Sequence, residues 1–362
     1  MARNTNKQKD LVTMSNKKIL LLEELCNASA VSGDEGAIRN ILRRELEGYA
    51  EKITIDPIGN LLVDTKKSKE GLLKVLIAAH MDEVGFMIVD DGDEGTYRFE
   101  IVGGIDKRQI PGKAVWVGKD NIPGVIGTIP PHLSKDDDKG RPIPIDSLRI
   151  DVGLDSNKKV KKGERAAFAT SFQRIDDSMF GKAFDNRIGV ATLIELIKDP
   201  PANVELMAAF TVQEEIGLRG AKVAAYRMQP DMAIALDCTP ANDLPMWDES
   251  ENYTYNTRLR AGPAIYVADQ ATLSDPRLVQ FAVKTAEKYK IPFQIRQPGG
   301  GGTDAGMIHL QREGIPSLSI SVPARYHHTA RMLVSVSDWE NSIKLIKALL
   351  SDMNASVFKK DR

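Results

Sequence analysis

Side chains that can bind a metal ion or transfer a proton follow four apolar runs of the sequence, where buried strands should end. These runs end at His80-Met81-Asp82-Glu83, at Glu214-Glu215, at Asp237 and at Arg325-Tyr326-His327-His328. Continuous apolar runs are typical of buried parallel strands, and ligands in open α/β sheets bind beyond the carboxyl ends of such strands. We therefore expect four separate elements to deliver imidazoles and carboxylates to one place, as a carboxylate-rich divalent metal site requires.

The first two runs each predict two different roles for neighbouring side chains. His80 can ligate a metal ion while Asp82, which faces the same way on an extended chain, accepts the other ring N–H. Glu214 and Glu215 diverge at a strand end, so one can bind metal while the other reaches a metal-bound water as a general base. The structural alternative for this second pair is two solvated glutamates before a turn.

Two aspartates and a second imidazole complete the expected donor set. Asp185 precedes an apolar-periodic helix, where an N-cap is its ordinary role; its functional interpretation is a carboxylate that bridges two metal ions. Asp237 follows the apolar run 232–236, where a charge without partners would be costly. Of the adjacent His327 and His328, one can be a ligand while the other packs or faces solvent.

Together these residues can hold two zinc-like ions as a co-catalytic pair. We expect one ion to take His80, Asp185 and Asp237, and the other to take Asp185, Glu215 and His328. Mixed nitrogen and oxygen ligation suits Zn²⁺, which Co²⁺ or Mn²⁺ can replace.

A glycine run at Gly299–Gly306 matches the dinucleotide-binding fingerprint only formally. No acidic residue ends a strand about 20 residues further on, as that fingerprint requires. We interpret the run as a tight backbone platform beside the site, and we expect no cofactor other than metal ions.

Six motifs in this order resemble those of the M42 family of metallo-aminopeptidases, which includes the tetrahedral aminopeptidases and proteins labelled glutamyl aminopeptidase or, by older naming, endoglucanase. The motifs are Ala79–Phe86, Lys182–Gly189, Gln213–Gly220, Ala235–Asp237, Gly301–Gly306 and Arg325–His328. The resemblance covers nearly the whole chain, and it implies an enzyme that removes N-terminal residues from short peptides.

The resemblance also implies roles for individual residues. It gives the two ligand sets the same members as above, makes Glu214 the general base and makes Asp82 the aspartate that orients His80. His327 departs from the family pattern, because relatives often carry an apolar residue at this position. We take His328 as the ligand.

The sequence predicts an α/β fold with a mixed, largely parallel sheet flanked by helices. Between residues 86 and 170, short β-type runs alternate with turn residues, which indicates an inserted small β-rich barrel or sandwich. The predicted catalytic domain comprises residues 1–85 and 171–362. Ser32 and Glu35 have the spacing of a capping box at a helix start. The family resemblance implies a zinc-exopeptidase-like fold, a PDZ-like dimerisation insertion, and dimers that assemble into a dodecamer.

Composition limits the other functional classes. Lysine plus arginine number 49 and aspartate plus glutamate 50, so no global field favours nucleic acid or an anionic membrane. We find no apolar run of transmembrane length. The two cysteines, Cys26 and Cys238, cannot form a disulfide framework, and their number fits a reducing compartment. The expected location is the cytoplasm.

Three alternatives remain open at this stage. The same metal chemistry serves carboxypeptidases and N-acyl-amino-acid deacylases, which need a cationic clamp such as Arg325 for a substrate carboxylate. A non-enzymatic assembly protein would keep the site only as a relict. A glycosidase would use paired carboxylates without metal dependence. The sequence does not reveal which N-terminal residue is preferred.

Overall fold

The computed structural model describes residues 16–65, 71–90, 92, 94–128, 130–133, 143–154, 160–248, 250, 252–253, 256–297 and 299–359. The strands of this part, in chain order, are β1 (Lys52–Ile55), β2 (Leu61–Asp64), β3 (Leu73–His80), β4 (Gly85–Ile88), β5 (Thr96–Tyr97), β6 (Phe99–Val102), β7 (Ala114–Val117), β8 (Ile122–Gly127), β9 (Arg149–Asp151), β10 (Arg165–Phe168), β11 (Gln173–Ile175), β12 (Ser178–Gly181), β13 (Val204–Thr211), β14 (Met232–Pro240), β15 (Ala264–Ile265), β16 (Gln294–Ile295), β17 (Ser317–Arg325) and β18 (Met332–Ser335).

Seven α-helices lie in the described residues. They are α1 (16–27), α2 (Gly36–Glu45), α3 (Phe184–Lys198), α4 (Arg219–Met228), α5 (Pro276–Tyr289), α6 (Ala305–Ile308) and α7 (Val336–Asp352). None of those in the described residues combines the length and the apolar character that a membrane crossing requires.

The larger sheet has eleven described strands, and its main path runs β1-β2-β13-β3-β14-β17-β18-β12-β11. The mixed sheet is as expected, but parallel pairing joins only the central strands β13, β3, β14 and β17 and the short pair β15–β16. The outer strands pair antiparallel, because the tight connections β1–β2 and β11–β12 are too short for a parallel crossover. The sheet is therefore parallel at its centre and antiparallel on both flanks.

The second sheet has seven described strands in the order β5-β9-β8-β7-β10-β4-β6, and all of its pairings are antiparallel. Its two end strands, β5 and β6, are separated in sequence by Arg98 alone, so the sheet closes almost into a barrel. Phe86 meets Phe99 and Phe168 edge to face with ring centroids 5.2 Å apart, and these rings fill its interior. The β-rich barrel expected here is present, while the domain boundaries and the PDZ-like assignment stay predictions.

Ser32 contradicts the predicted capping box. Helix α2 has Glu35 at its N-cap position and no side-chain capping hydrogen bond. The Ser32 hydroxyl instead donates to a carboxylate oxygen of Asp82 at 2.5 Å. The prediction was wrong because a buried acceptor 50 residues away competes with the local helix terminus.

A buried ion network ties the end of β3 to the start of α3. The carboxylate of Glu83 accepts from Lys182 Nζ at 2.8 Å and from Arg187 Nη2 at 3.0 Å. Burial by itself would raise the pKa of Glu83, but the two cations hold it below its ordinary value. Lys182 and Arg187 flank Asp185, and Glu83 follows His80 and Asp82, so this network holds two site-bearing segments together.

We predict that Glu83→Gln, which keeps the shape of the side chain and removes its charge, destabilises the fold by about 3–5 kcal/mol, because it leaves two buried cations without a counter-charge. Urea unfolding of the metal-free protein measures this loss. Glu100→Gln, an exposed position on β6, is the matched control. Equal unfolding free energies for the two variants would contradict the assignment.

Candidate metal centre

Asp185 lies at the centre of the converging side chains. Its Oδ1 atom is 3.1 Å from Nε2 of His80, and its Oδ2 atom is 3.1 Å from Nε2 of His328. The first imidazole comes from the end of β3 and the second follows β17. Each oxygen of one carboxylate thus faces a different imidazole, as a bridging ligand requires, and the expected convergence of distant segments is present.

Asp237 joins His80 and Asp185 on one side of this centre. Its Oδ1 atom lies 3.5 Å from Nε2 of His80, and one potential ligand atom from each of the three residues lies within 4.8 Å of the others. All three side chains are buried. This is the donor set expected for the first ion.

The paired glutamates occupy the other side. Glu215 Oε2 is 3.3 Å from Nε2 of His328, and Glu214 Oε2 is 3.9 Å from Nε2 of His80. His80, Glu214 and Glu215 also form a group with ligand atoms within 4.8 Å of one another. The structural alternative, two solvated glutamates before a turn, is therefore wrong, since Glu214 is 9% exposed and both side chains reach the site.

Backbone carbonyls fix the orientation of both imidazoles. His80 Nδ1 lies 3.1 Å from the Asp82 carbonyl, and His328 Nδ1 lies 2.9 Å from the Gly104 carbonyl. A ring that donates from Nδ1 presents the lone pair of Nε2, and both Nε2 atoms point at Asp185. Gly104 follows β6, so the second sheet contributes to the site. A Cβ there would meet His328 Nδ1 at 3.1 Å, which favours glycine.

The carboxylate of Asp82 lies beside the imidazole of His80 and accepts hydrogen bonds from the turn that carries the two glutamates. It accepts from the backbone N–H groups of Glu214 at 3.0 Å and Glu215 at 3.2 Å, whereas its Oδ1 is 3.6 Å from His80 Nδ1. Burial opposes its ionisation, but His80 and these donors keep its pKa below the ordinary value. Asp82 thus contacts His80 mainly through its backbone carbonyl and fixes the Glu214–Glu215 turn through its side chain.

Charge repulsion is severe in this buried cluster. Burial and the negative charge of Asp185 raise the pKa of Asp237 to about 7, and burial raises that of Glu215 to about 8 although His328 opposes it. Burial opposes protonation of His328, yet Glu215 and Asp185 raise its pKa to about 10. The cluster therefore retains positive charge, as protons, at neutral pH.

Among the described residues, the buried Oε1 atom of Glu215 has no hydrogen-bond partner, although it lies in this cluster. A carboxylate oxygen left free beside imidazole nitrogens and the Asp185 carboxylate is a donor that divalent transition metals accept. The residues present therefore fit a divalent metal centre.

Comparison with known proteins identifies this chain at the family level. A model of the M42 glutamyl aminopeptidase family matches residues 59–345. The chain belongs to the M42 family. It is 33% identical to the lysyl aminopeptidase of Pyrococcus furiosus over 352 residues, which cover 93% of this chain and 98% of that protein.

Solved structures agree with this membership. The TET aminopeptidase of the marine sediment archaeon Thaumarchaeota archaeon SCGC AB-539-E09 has a TM-score of 0.89 at 30% identity, covering 95% of this chain and 98% of that one. The Pyrococcus horikoshii TET1 peptidase, which can assemble into a tetrahedron or a large octahedral shell, has a TM-score of 0.80 at 35% identity, covering 93% and 100%. This M42 protein is a peptide hydrolase of the aminopeptidase class, and membership in this metallopeptidase family implies a divalent metal.

His327, like the neighbouring His328, faces the candidate metal site. Its ring stacks on that of His328 with centroids 4.4 Å apart, and its Nε2 is 2.9 Å from Asp185 Oδ2. Asp185, His327 and His328 form a third group of potential ligands. The sequence and the family resemblance led us to take His328 as the ligand, whereas the structure directs both rings at one carboxylate oxygen.

Two site residues had no role predicted from the sequence. Asp304 is buried, accepts from Thr211 Oγ1 at 2.5 Å, and has a pKa that burial raises to about 6. Arg296 lines a cavity of about 600 Å³ that His80, Asp185 and other residues of the cluster also line. Asp304 lay in a family motif, but no sequence signal indicated that Arg296 is buried. Gly300–Gly302 line the cavity, consistent with the backbone platform inferred from the glycine run.

The protons held by the cluster predict how the stability of the metal-free protein depends on pH. The folded-state pKa values of Asp237 and Glu215, about 7 and 8, exceed their ordinary values of 3.8 and 4.5. The folded state therefore binds these protons more tightly, and the stabilisation is lost as pH rises through the folded pKa values. The pKa of His328 is raised from 6.5 to about 10, so its proton also stabilises the folded state. This stabilisation likewise decreases as the pH rises above 6.5.

We expect the midpoint temperature of thermal unfolding of the chelator-treated protein to decrease as the pH rises from about 5.5 to about 8.5. Saturating Zn²⁺ or Co²⁺ should largely remove this decline, because the cations replace the protons. Thermal unfolding followed by circular dichroism, with and without metal at each pH, makes the comparison. A metal-free midpoint that rises over this interval would contradict the charge arrangement.

Proposed function

We propose that this M42 protein is a dinuclear metal-dependent aminopeptidase that removes N-terminal residues from short peptides. The observation that carries the proposal is the position of Asp185, whose two carboxylate oxygens each lie 3.1 Å from an imidazole Nε2 delivered by a different strand. Asp237 and Glu215 flank these imidazoles on opposite sides. A bridging carboxylate between two such donor groups is the arrangement of a co-catalytic pair.

The proposed ligands divide between two positions. His80, Asp185 and Asp237 would hold one ion, and Asp185, Glu215 and His328 would hold the other. Bound divalent ions would polarise the scissile carbonyl and lower the pKa of a water molecule. The nitrogen and oxygen donors fit Zn²⁺ best, with Co²⁺ or Mn²⁺ as substitutes.

Glu214 is the proposed general base. Its carboxylate lies 3.9 Å from Nε2 of His80, and its backbone N–H is fixed by Asp82. Burial, reinforced by the charges of Asp237 and Glu215, raises its pKa well above the ordinary value although His80 opposes this shift. In the proposed reaction Glu214 accepts a proton from the attacking water and returns it to the leaving amine as the peptide C–N bond breaks.

Arg325 cannot be the free cationic clamp that a carboxypeptidase or deacylase needs, because its Nε is 2.5 Å from Asp243 Oδ1 and the arginine does not line the cavity. The carboxypeptidase or deacylase alternative therefore loses the clamp expected for it. Comparing free-amine with N-acetylated aminoacyl anilides separates the two functions. Cleavage restricted to the blocked substrates would replace the aminopeptidase proposal.

We also propose a cytoplasmic homo-oligomer in which the β-rich insertion, residues 86–170, joins dimers that assemble further into a dodecamer. The assembly of the Pyrococcus horikoshii TET1 peptidase supports this idea. The complete donor set argues against a non-enzymatic protein that keeps only a relict site, and the metal-fitting cluster argues against a metal-independent glycosidase.

We predict that Glu214→Gln keeps the bound metal and lowers kcat by about 10²–10⁴-fold, because it removes the proton acceptor alone. Metal content by mass spectrometry and turnover of aminoacyl-p-nitroanilides give the two readouts. Glu215→Gln is the matched control and should lose metal. Near-normal turnover of Glu214→Gln would refute its role as base.

A second comparison tests which of the adjacent histidines is the ligand. His328 is anchored by the Gly104 carbonyl and lies 3.3 Å from Glu215, so His328→Ala should weaken binding of the second ion by at least about 10-fold. His327→Ala should keep both ions. Calorimetric titration with Zn²⁺ counts them, and the reverse order of loss would transfer the ligand role to His327.

A further inference from the structure

Arg296 is a buried cation in the wall of the active-site cavity. It is 4% exposed, and among the described residues that line this cavity it is the only arginine or lysine. It directly follows β16, and its guanidinium stacks on the ring of Tyr266 at 4.6 Å. Tyr266 follows β15, the parallel partner of β16, so both side chains are held by paired strands.

Every partner of the Arg296 guanidinium in the described part of the chain is neutral. Nε is 3.2 Å from Thr239 Oγ1, Nη2 is 2.7 Å from the Gly300 carbonyl, and Nη1 is 3.5 Å from the Gly299 carbonyl. The buried Arg187 differs, because it pairs with Glu83, and the partly buried Arg325 pairs with Asp243.

A buried cation without a counter-charge is costly. The guanidinium has five N–H donors, and the contact of Nη1 with Gly299 is at the limit of a hydrogen bond, so capacity remains for a further acceptor. A carboxylate matches this planar donor geometry in two parallel bonds. A substrate carboxylate would thus supply the negative charge that Arg296 does not receive from the described residues.

The position of Arg296 indicates which part of the substrate it meets. It binds Thr239, which lies two residues beyond Asp237 on the same strand and therefore on the same face. For the proposed cleavage, the free amine and the scissile carbonyl must lie against the cluster that contains Asp237. The side chain of the N-terminal residue branches from the carbon atom between these two groups, so it would extend into the cavity that Arg296 lines.

We propose that Arg296 binds the side-chain carboxylate of an N-terminal glutamate or aspartate, and that the enzyme prefers acidic N-terminal residues. This inference rests on the aminopeptidase function proposed above. Family membership does not decide the point, because a lysyl aminopeptidase is among the relatives. The carboxylates of the metal cluster would repel an acidic substrate side chain. Arg296, which lines the same cavity, would offset this repulsion.

The test compares kcat/KM for the p-nitroanilides of Glu, Asp, Leu and Lys with metal-loaded wild type, Arg296→Met and Arg296→Lys. The wild type should prefer Glu over Leu by at least about 10-fold. Arg296→Met should lower the Glu/Leu ratio by about 10²-fold, because the carboxylate loses its partner, and Arg296→Lys should restore part of it. Arg312→Met, at an exposed position, is the control and should leave the ratio unchanged.

An equal loss of kcat/KM on all substrates in Arg296→Met would overturn the inference, because it would show that Arg296 only supports the Gly299–Gly300 backbone.

A second arm of the test compares Leu-Gly with Leu-Gly-amide, which differ only in the C-terminal carboxylate. A loss confined to the free dipeptide would also overturn it, since Arg296 would then bind the C-terminus. Wild type that cleaves Leu-p-nitroanilide without preferring Glu refutes this inference alone, whereas wild type that cleaves no free-amine substrate refutes the proposed function itself.

Discussion

The repulsion among four buried carboxylates is the constraint on which the rest of the structure depends. Asp185, Asp237, Glu214 and Glu215 are drawn together in a region where charges are poorly screened. Their pKa values split, with Asp185 well below its ordinary range because of the surrounding histidines and the other three raised. A cluster of this kind is compatible with folding only when cations occupy it, as protons in the metal-free state or as metal ions. The demand for positive charge is therefore a property of the fold itself.

The surrounding structure holds the cluster from outside, without using the donor atoms that the metal needs. The Glu83 network fixes the segments that carry His80 and Asp185, and Asp82 fixes the glutamate turn through its backbone N–H groups. Backbone carbonyls take the Nδ1 protons of the imidazoles. Each support binds a backbone group or the remote side of a ligand, so the inward-facing oxygens and nitrogens stay available.

The sequence predicts the donor side chains of the cluster but not the groups that support them. Apolar runs that end in His, Glu or Asp are local patterns, and parallel topology then brings their ends to one edge, so His80, Asp237 and the glutamates could be predicted to meet. The supports depend on distant partners. Ser32 had a good local role as a cap, yet Asp82 claims its hydroxyl. Likewise, nothing in the residues around Glu83 indicates that it meets Lys182 and Arg187, and the antiparallel flanks depend on how short connections fold back.

Arg296 belongs to a third category, because the described residues give it no counter-charge and the proposed counter-charge belongs to the substrate. Glu83 shows that this fold neutralises a buried cation with a carboxylate where the cation serves structure alone. Arg296 is equally buried, yet neutral carbonyls, a hydroxyl and an aromatic face surround it. A structural arginine in this position gains nothing from lacking a counter-ion, whereas a recognition arginine must lack one to discriminate among substrates. The cations beside Glu83 have a counter-charge, whereas Arg296 has none among the described residues. This difference is the physical reason for assigning catalysis to the metal cluster and the choice of the released residue to Arg296.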